Sequence, residues 1–294
     1  MKKYWIVENE NIHPESQEIL NEYLLDLKLS NKSKQTIMEY SWFLQRFLTF
    51  IDKPVTELVS DDILDWINEK CGCLKPTTIN RHLAILSAFI KFCQGEEYLN
   101  EDVQVKSRWR PKLPKTQPKY LDKEELAKVK LAAEKQKLRD RALFEFLLTS
   151  GCRAGEATGL NIEDLYLKSR TARVTGKGNK TRDVHFSESC ALLMEKLLEN
   201  HPGNTSAVFL NRWGDRMHVR SVQNIMTKIG EEAGLNRKLT PHILRHTFST
   251  YMLSKGADLE FISEALGHAD LATTCIYARV LDEQIVAIYR KCMG

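Results

Sequence analysis

The sequence predicts a mainly α-helical protein with a small antiparallel β-hairpin or sheet, built as two domains. Apolar residues recur at helical spacing along most of the 294 residues. One segment, 171–186, instead alternates apolar and polar residues on both sides of a glycine-containing turn. A proline-rich basic stretch at 106–119 separates two segments that are each long enough to bury a core. We therefore expect domains at 1–105 and 120–294, joined by a linker at 106–119.

The first domain is predicted to contain four helices between Pro14 and about Cys93. Proline is favoured as a first helical residue, and Pro14 begins the first helix while Pro76 begins the fourth. Ser60 is predicted to cap the third helix. The second helix carries an apolar stripe formed by Ile37, Tyr40, Phe43, Leu44, Phe47, Leu48 and Ile51. Because the breaks between the helices are short, we expect a compact bundle.

Four basic residues lie near the starts of these helices: Lys32, Lys34, Lys75 and Arg81. Helix N-termini that carry lysine together with serine or threonine are natural phosphate contacts, so these four residues are candidates for DNA binding. The same pattern also fits ordinary solvated helix caps. The sequence leaves both interpretations open.

The linker is the most basic part of the chain. Residues 1–105 carry a net charge of −6, residues 106–119 one of +6, and residues 120–294 one of +4. Three prolines favour an extended backbone there, and an extended cationic segment suits a polyanion, because each neutralised phosphate releases counterions. The candidate DNA contacts are Lys106, Arg108, Arg110 and Lys112. A linker that is merely soluble remains the alternative.

The second domain begins with Asp122 and Glu125 at the spacing of a capping box. A helix that ends at Gly151 is followed by Arg153 and Glu156, one helical turn apart. The predicted hairpin at 171–186 carries Lys177 in its turn, and further helices follow, the last of them predicted at 281–291.

Composition excludes several classes of protein. No apolar run approaches the roughly 20 residues of a membrane span, and the N-terminus turns acidic where a signal peptide needs an apolar core. We therefore expect a soluble, cytosolic protein. The seven cysteines are odd in number and lack CxxC spacing, which disfavours a disulfide framework or a cysteine zinc site.

The stretch from Pro241 to Tyr277 concentrates reactive side chains between apolar residues at helical spacing. His242 and His246 stand at i and i+4, a spacing that can bind a metal. However, Arg245 lies between them, no HExxH pattern is present, and no third ligand is near. These features disfavour a metal site.

A phosphate site uses more of the residues. Arg153 and Arg245 can donate forked hydrogen bonds to non-bridging phosphate oxygens. His242 and His268 can donate hydrogen bonds and transfer protons, while Lys177 is placed to protonate a leaving oxygen. No nucleotide-binding loop is present, so we expect neither a metal nor another cofactor.

Tyr277 is the candidate nucleophile of such a site, because a tyrosine oxygen can form a covalent phosphotyrosine. Each residue also has an ordinary structural role open to it. Arg153 could pair with Glu156, Lys177 could be a turn lysine, and Tyr277 a half-buried helix residue. His246 is interpreted as a capping or core histidine. The whole ordered set favours the phosphate site.

Four motifs carry a family resemblance: TSGCRAGEATGL, VTGKGNKTRDV, TPHILRHTFSTYML and ALGHADLATTCIYARV. With them the chain resembles the tyrosine site-specific recombinases, the phage integrase family, and most of all the short Xer-type members. The helical N-terminal half resembles the SAM-like core-binding domain of that family. The motifs occur in the family's order and cover the catalytic domain.

The resemblance assigns roles to the matching residues. It implies that Arg153 and Arg245 bind the scissile phosphate, that His268 donates a hydrogen bond to it, and that Glu156 orients the site. Cys152 is a less usual residue at its position.

It further implies that Tyr277 attacks to give a 3′-phosphotyrosine, while Lys177 is the general acid for the 5′-oxygen. His242 would assist proton transfer to or from Tyr277. Cys275, near the nucleophile, is also a less usual residue at its position.

The resemblance also implies an assembly. Two domains would form a C-shaped clamp around duplex DNA, and four protomers would synapse two inverted-repeat sites and exchange strands through a Holliday junction. A partner recombinase or accessory protein could take part. The tail after Tyr277 is expected to dock on a neighbouring protomer. The implied biological roles are dimer resolution and the integration, excision or resolution of a mobile element.

The sequence leaves three rival functions open. A type IB topoisomerase would share the phosphotyrosine chemistry but relax DNA of any sequence. A non-catalytic DNA-binding regulator would be expected to lack Tyr277 or one of the arginines, and none is missing. A metal-dependent nuclease is the third.

Overall fold

The computed structural model describes residues 3–114, 119–203 and 205–267. The chain divides into two compact units, Met1–Lys115 and Thr116–Gly294, and each unit has its own hydrophobic core. The fold is mainly helical with a small antiparallel sheet, as the sequence predicts. Within the described ranges, no helix is both long and apolar enough to cross a membrane.

The first unit contains the four predicted helices: α1 (Pro14–Leu29), α2 (Lys34–Ile51), α3 (Ser60–Lys70) and α4 (Pro76–Gly95). Helix α2 packs against the other three. Its predicted apolar stripe faces the core, where five of the seven stripe residues are buried, namely Ile37, Phe43, Leu44, Phe47 and Leu48. The spacing of apolar residues therefore predicted these helices correctly, including both starts at proline.

The predicted cap of α3 is wrong. Ser60 is the first residue of the helix rather than its cap, and the backbone N–H of Val59 instead donates to Asp62 Oδ2 at 2.8 Å. Ser60 Oγ accepts a hydrogen bond from Gln104 N at 3.1 Å, which ties the segment after α4 to the start of α3. Asp62, the third residue of the helix, thus satisfies the N–H group of the cap position, while the Ser60 hydroxyl makes a long-range contact.

The second unit is built around α6, which packs against α8 and α10. Asp122 and Glu125 form the predicted capping box at the start of α5, with Asp122 Oδ1 accepting from Glu125 N at 2.8 Å. The helices are α5 (Lys123–Glu134), α6 (Leu138–Ser150), α7 (Ala154–Gly159), α8 (Glu188–Glu199), α9 (Val219–Glu232), α10 (Pro241–Ser254) and α11 (Leu259–Leu266).

The predicted hairpin is present and is extended by a third, very short strand. The antiparallel order is β1 (Leu165–Tyr166), β2 (Thr171–Thr175) and β3 (Thr181–His185). In this register Val174 lies opposite Arg182. Val174 is buried, and Arg182 is only partly exposed.

Gly151 ends α6 and begins the loop that leads to the candidate site. Its φ of +63° lies in the left-handed region that favours glycine. A Cβ built at this position would lie 2.5 Å from the Phe248 ring of α10. The close packing of α10 on the end of α6 therefore requires glycine here.

The predicted helix at 281–291, together with His268 and Tyr277, lies outside the described residues.

The buried hydroxyl of Ser16 in α1 provides a test of the first unit's packing. Ser16 Oγ accepts from Val55 N at 2.8 Å, and both residues are fully buried. Ser16→Ala leaves that N–H without a partner, which should lower the free energy of unfolding by about 1–3 kcal/mol. Urea titration followed by circular dichroism measures the change. The exposed Ser30→Ala is the control, and an equal effect in both variants would contradict the packing described.

Candidate active site

A cleft of about 680 Å³ opens on the second unit. It lies between the start of α7, the end of β2, one face of α9 and the start of α10. Its lining includes Arg153, Glu156, Gly176, Arg220, Lys238 and His242. Three of the residues singled out from the sequence thus meet in one cleft, although they are separated by up to 89 positions in the chain.

Arg153 and Glu156 form the floor of the cleft. Arg153 precedes α7, and Glu156 lies in its first turn. The Glu156 carboxylate accepts from Arg153 N at 2.7 Å and from Arg153 Nη1 at 2.8 Å. Glu156 is 3% exposed, whereas the Arg153 side chain remains 37% exposed toward the cleft. Arg153 can therefore pair with Glu156 and still face the cleft, so the two roles that the sequence left open for it are compatible.

Arg182 of β3 binds the other side of the same carboxylate. Its Nη1 and Nη2 donate to the two oxygens of Glu156, each at 2.9 Å. The carboxylate therefore accepts four hydrogen bonds, which matches its full complement of lone pairs. A buried carboxylate with all four acceptor sites used has a fixed orientation, and so it fixes both guanidinium groups.

The pKa of Glu156 reflects these contacts. Burial by itself would raise the pKa, but the hydrogen bonds from Arg182, from the Arg153 backbone and from the Arg153 side chain outweigh it. The pKa falls from 4.5 to about 2. Glu156 is therefore a carboxylate at neutral pH, and it offsets one of the two positive charges beside it.

Arg245 lies behind the cleft on α10. Thr240 caps this helix by accepting from Ile243 N, and Pro241 is its first residue. Arg245 is 4% exposed, with Nη1 donating to Gly151 O and Nη2 to Leu266 O, both at 2.8 Å. These bonds hold a permanent positive charge between the end of α6 and the end of α11.

His242 lies in the first turn of α10, with part of its ring exposed at the cleft. Partial removal from water lowers its pKa, and the positive charges of Arg245 and Arg153 lower it further. The imidazole is therefore neutral at pH 7 and can accept a proton. His246, one turn on, is half-buried, and burial is also the main cause of its lowered pKa.

Lys177 begins the turn between β2 and β3, directly after Gly176 in the cleft wall. Its backbone belongs to a short 3-10 turn, Lys177–Asn179, while its side chain lies outside the described part of the structure. His268 and Tyr277 also lie outside it. Their assignments to the site remain predictions.

Sequence reasoning missed Arg182 and the polar face of α9. Arg182 stands two residues before the buried Val184 in β3, so the alternation of the strand places a cation on the inward face, a signal that was available. Helix α9 buries Val222, Met226 and Ile229 on one side. Its other side turns Arg220, Gln223, Asn224 and Thr227 into the cleft.

Potential metal ligands are not clustered in the part of the chain that the structure describes. Across residues 3–114, 119–203 and 205–267, no three His, Cys, Asp or Glu side chains are grouped as a metal site requires.

Cys152, beside Arg153, is fully buried, and burial raises the pKa of its thiol to about 12. The thiol is therefore protonated at neutral pH.

In the first unit, the predicted DNA-binding residues are mostly exposed. Lys32, Lys34, Lys75 and Arg81 are all at the surface. Lys34 begins α2 and Lys75 precedes α4. Arg81 of α4 forms an ion pair with Glu39 of α2, which brings the N-terminal parts of these two helices together.

The described part of the linker packs on α4. Asn80 Nδ2 donates to Pro111 O at 3.0 Å, and Arg110 Nη2 donates to Ser87 Oγ at 3.3 Å. Arg108 and Lys112 are exposed, and Lys106 lies over the Trp109 ring. Arg110 is thus already engaged with the protein.

Two family models match the chain. The model described as the phage integrase family matches residues 119–284, and the model described as the N-terminal SAM-like domain of phage integrases matches residues 19–100.

Individual relatives agree with these matches. Tyrosine recombinase XerA of Pyrococcus furiosus is 34% identical over 268 residues, which cover 90% of each chain. The crystal structure of XerH recombinase bound to palindromic difH substrate aligns with a TM-score of 0.73 at 23% identity, over 96% of this chain and 91% of that one. A lambda integrase tetramer bound to a Holliday junction aligns with a TM-score of 0.74 at 16% identity, over 91% and 78%. At these identities the two structures show a shared fold.

The four bonds to Glu156 make a prediction about stability and pH. The folded-state pKa lies below the ordinary value of 4.5, so ionised Glu156 contributes stability that is fully present above pH 4.5 and is lost as the pH falls through about 2. The stability difference between the wild type and Glu156→Gln should therefore shrink by about 2 kcal/mol between about pH 6 and about pH 3. Urea titrations across this range measure it.

The exposed Glu195→Gln of α8 is the matched control, and its pH profile should follow the wild type. A difference between the wild type and Glu156→Gln that stays constant with pH would contradict the proposed ion cluster.

Proposed function

The chain belongs to the phage integrase family, and on this premise we propose that it is a site-specific tyrosine recombinase that cleaves and rejoins duplex DNA. The observation that carries the proposal is the cationic cleft, in which Glu156 holds Arg153 in place with Arg245 fixed behind it. Arginine is suited to phosphate because its planar fork carries several donors and is always charged.

The charge of the cleft matches a phosphodiester in reaction. Arg153, Arg182 and Arg245 supply three positive charges around Glu156, which offsets one, and Arg220 and Lys238 add further positive charge to the cleft wall. This positive excess suits a phosphodiester, whose single negative charge grows to two in the phosphorane transition state. Because the arginines are fixed before substrate arrives, little reorganisation accompanies the reaction. By analogy with oxyanion-hole donors, each contact to the phosphate should contribute about 3–4 kcal/mol to the transition state.

The chemistry proposed is a transesterification in two directions. The Tyr277 oxygen attacks the phosphorus, forming a 3′-phosphotyrosine, and the bond to the 5′-oxygen breaks. Neutral His242 accepts the phenol proton, and Lys177 gives a proton to the departing 5′-oxygen. In the reverse step, the 5′-hydroxyl of the partner strand attacks the phosphotyrosine and releases Tyr277. The number of phosphodiester bonds is conserved, so no ATP is required.

Helix α9 is proposed to read the DNA sequence next to the cleft. Its exposed face carries Arg220, Gln223 and Asn224. Arginine pairs with the edge of guanine in the major groove, and glutamine or asparagine pairs with adenine. These side chains line the same cleft as Arg153, which supports a role in specificity beside the scissile phosphate.

Contacts to the DNA backbone are proposed for the surface cations of the first unit and the linker. The residues are Lys32, Lys34, Lys75, Arg81, Lys106, Arg108, Arg110 and Lys112. Arg81 and Arg110 would have to exchange contacts, with Glu39 and Ser87 respectively, for contacts with phosphate. We propose domains at 1–105 and 120–294, joined by a linker at 106–119.

The assembly proposed is a homotetramer on two paired inverted-repeat sites, acting through a Holliday junction. The shared fold with a lambda integrase tetramer bound to such a junction supports it. The tail after Tyr277 is proposed to dock on the neighbouring protomer. The biological setting proposed is dimer resolution or the movement of a mobile element.

The nucleophile is tested with a nicked suicide substrate that carries the inverted repeats of the protein's native locus. The wild type should form a covalent adduct with DNA, visible as a shifted band on a denaturing gel, and Tyr277→Phe should form none because it lacks the attacking oxygen. Tyr251→Phe is the control, since Tyr251 is an exposed tyrosine of α10. An adduct that persists in Tyr277→Phe would refute the assignment.

Base recognition by α9 is tested with Arg220→Ala. This change should weaken binding to the native site by about 1–3 kcal/mol and relax the preference at one base pair. Fluorescence anisotropy with the native site and single-base variants measures both effects. Lys228→Ala, which removes an exposed cation further along α9, should leave the base preference unchanged. Equal losses on native and scrambled DNA for Arg220→Ala would show that Arg220 contacts only the backbone.

A further inference from the structure

We propose that Arg182 is a positioning residue for the cleavage step. From β3 it ties the β2–β3 turn to Glu156 and the end of α11, and so it sets the place of the general acid Lys177. This inference rests on the function proposed above.

The first link runs from β3 to the floor of the cleft. The Arg182 side chain is 15% exposed, and both terminal nitrogens bind the carboxylate that orients Arg153. The residue lies five positions after Lys177 and opposite Val174 in the hairpin. A bidentate bond at the base of the turn therefore constrains both strands from which the turn projects.

The second link runs from β3 to α11. Arg182 Nε donates to Ala265 O at 3.1 Å, and Arg245 Nη2 donates to Leu266 O at 2.8 Å. Two guanidinium groups therefore bind the last two carbonyls of this helix. Gly267 ends α11, and the next residue in the sequence is His268. The hairpin, the floor of the cleft and the end of α11 are thus joined through one side chain.

Two glycines permit this close approach. Gly267 has a φ of +64°, and a Cβ there would lie 2.9 Å from Arg182 Cδ. A Cβ on Gly176 would lie 3.0 Å from Glu156 Oε1. The start of the turn that carries Lys177 is therefore in close contact with the Glu156 carboxylate. The Arg182 side chain packs against Gly267 at the end of α11, where a side chain in place of the glycine hydrogen would collide with it.

The contacts indicate which step depends on Arg182. Arg153 has its own two bonds to Glu156, so it keeps a partner when Arg182 is altered. The base of the hairpin has no comparable side-chain bond to Glu156 among the described residues. Altering Arg182 should therefore displace the turn with Lys177 more than it displaces the phosphate-binding arginines, and protonation of the leaving group should be the step that suffers.

The chemistry of the leaving group provides the test. Arg182→Lys keeps the charge but replaces a planar fork with a single ammonium. Cleavage is measured on two suicide substrates that differ only in the bridging 5′-atom, oxygen or sulfur. A thiol has a pKa near 8.5 and departs as the thiolate, so the sulfur substrate does not need the acid. An alkoxide does need it, and loss of a positioned acid costs about 100-fold or more.

Arg182→Lys should cleave the oxygen substrate at least about tenfold more slowly than the wild type, yet cleave the sulfur substrate within about threefold of it. DNA affinity should be unchanged. Arg173→Lys is the matched control, because Arg173 lies on the same hairpin and pairs with Asp183 at the surface. It should cleave both substrates like the wild type. Equal slowing of Arg182→Lys on oxygen and sulfur would overturn the inference.

Gly176→Ala gives a second route to the same answer if Arg182→Lys folds poorly. The φ of Gly176 is −102°, a value open to alanine, and the added methyl would lie 3.0 Å from Glu156 Oε1, so the change pushes the turn and the carboxylate apart. Gly176→Ala should cleave the oxygen substrate more slowly than the wild type and the sulfur substrate at a similar rate. Equal slowing on both substrates counts against the inference.

Lys177→Ala separates this inference from the proposed function. If sulfur restores cleavage in Lys177→Ala but not in Arg182→Lys, the proposed chemistry stands and the role of Arg182 is refuted. If sulfur fails to restore Lys177→Ala, Lys177 is not the acid and the role of Arg182 falls with it, whereas the covalent adduct of Tyr277 still decides the proposed function.

Discussion

The buried carboxylate of Glu156 is the interaction on which the candidate site depends. A carboxylate removed from water is costly unless its oxygens are satisfied, and here two guanidinium groups and a backbone N–H supply four hydrogen bonds. Those four bonds join the loop before α7 to β3. Removing one partner would leave the buried charge only partly compensated, so every one of the four hydrogen bonds contributes to the stability of the cluster.

This unit explains how a cationic cleft can exist before any phosphate is present. Several guanidinium groups in one place repel each other, and Glu156 offsets part of that repulsion. Backbone carbonyls also accept hydrogen bonds from these groups: Ala265 O from Arg182, and Gly151 O and Leu266 O from Arg245. The arginines are therefore pre-oriented, and the remaining positive charge favours a phosphodiester. Family membership then identifies the reaction for which this arrangement is suited, the breakage and rejoining of DNA strands.

Local patterns predicted the features that depend on neighbouring residues. The four helices of the first unit, the capping box at Asp122 and the hairpin all follow from spacing within a few positions. The cap at Ser60 was predicted wrongly because the helix already begins at Ser60, and Asp62 accepts from the N–H group of Val59, the residue at the cap position. The alternation of β3 marks Arg182 as inward-facing, but its partners, Glu156 and Ala265, lie 26 and 83 positions away, and only the fold identifies them.

The most direct measurement is a crystal structure of Tyr277→Phe bound to an uncleaved duplex that contains both half-sites. We expect the non-bridging oxygens of the scissile phosphate to lie about 3 Å from guanidinium nitrogens of Arg153 and Arg245, with Arg182 still bound to Glu156. A scissile phosphate bound elsewhere, or a Glu156 carboxylate separated from both arginines in the complex, would contradict this expectation.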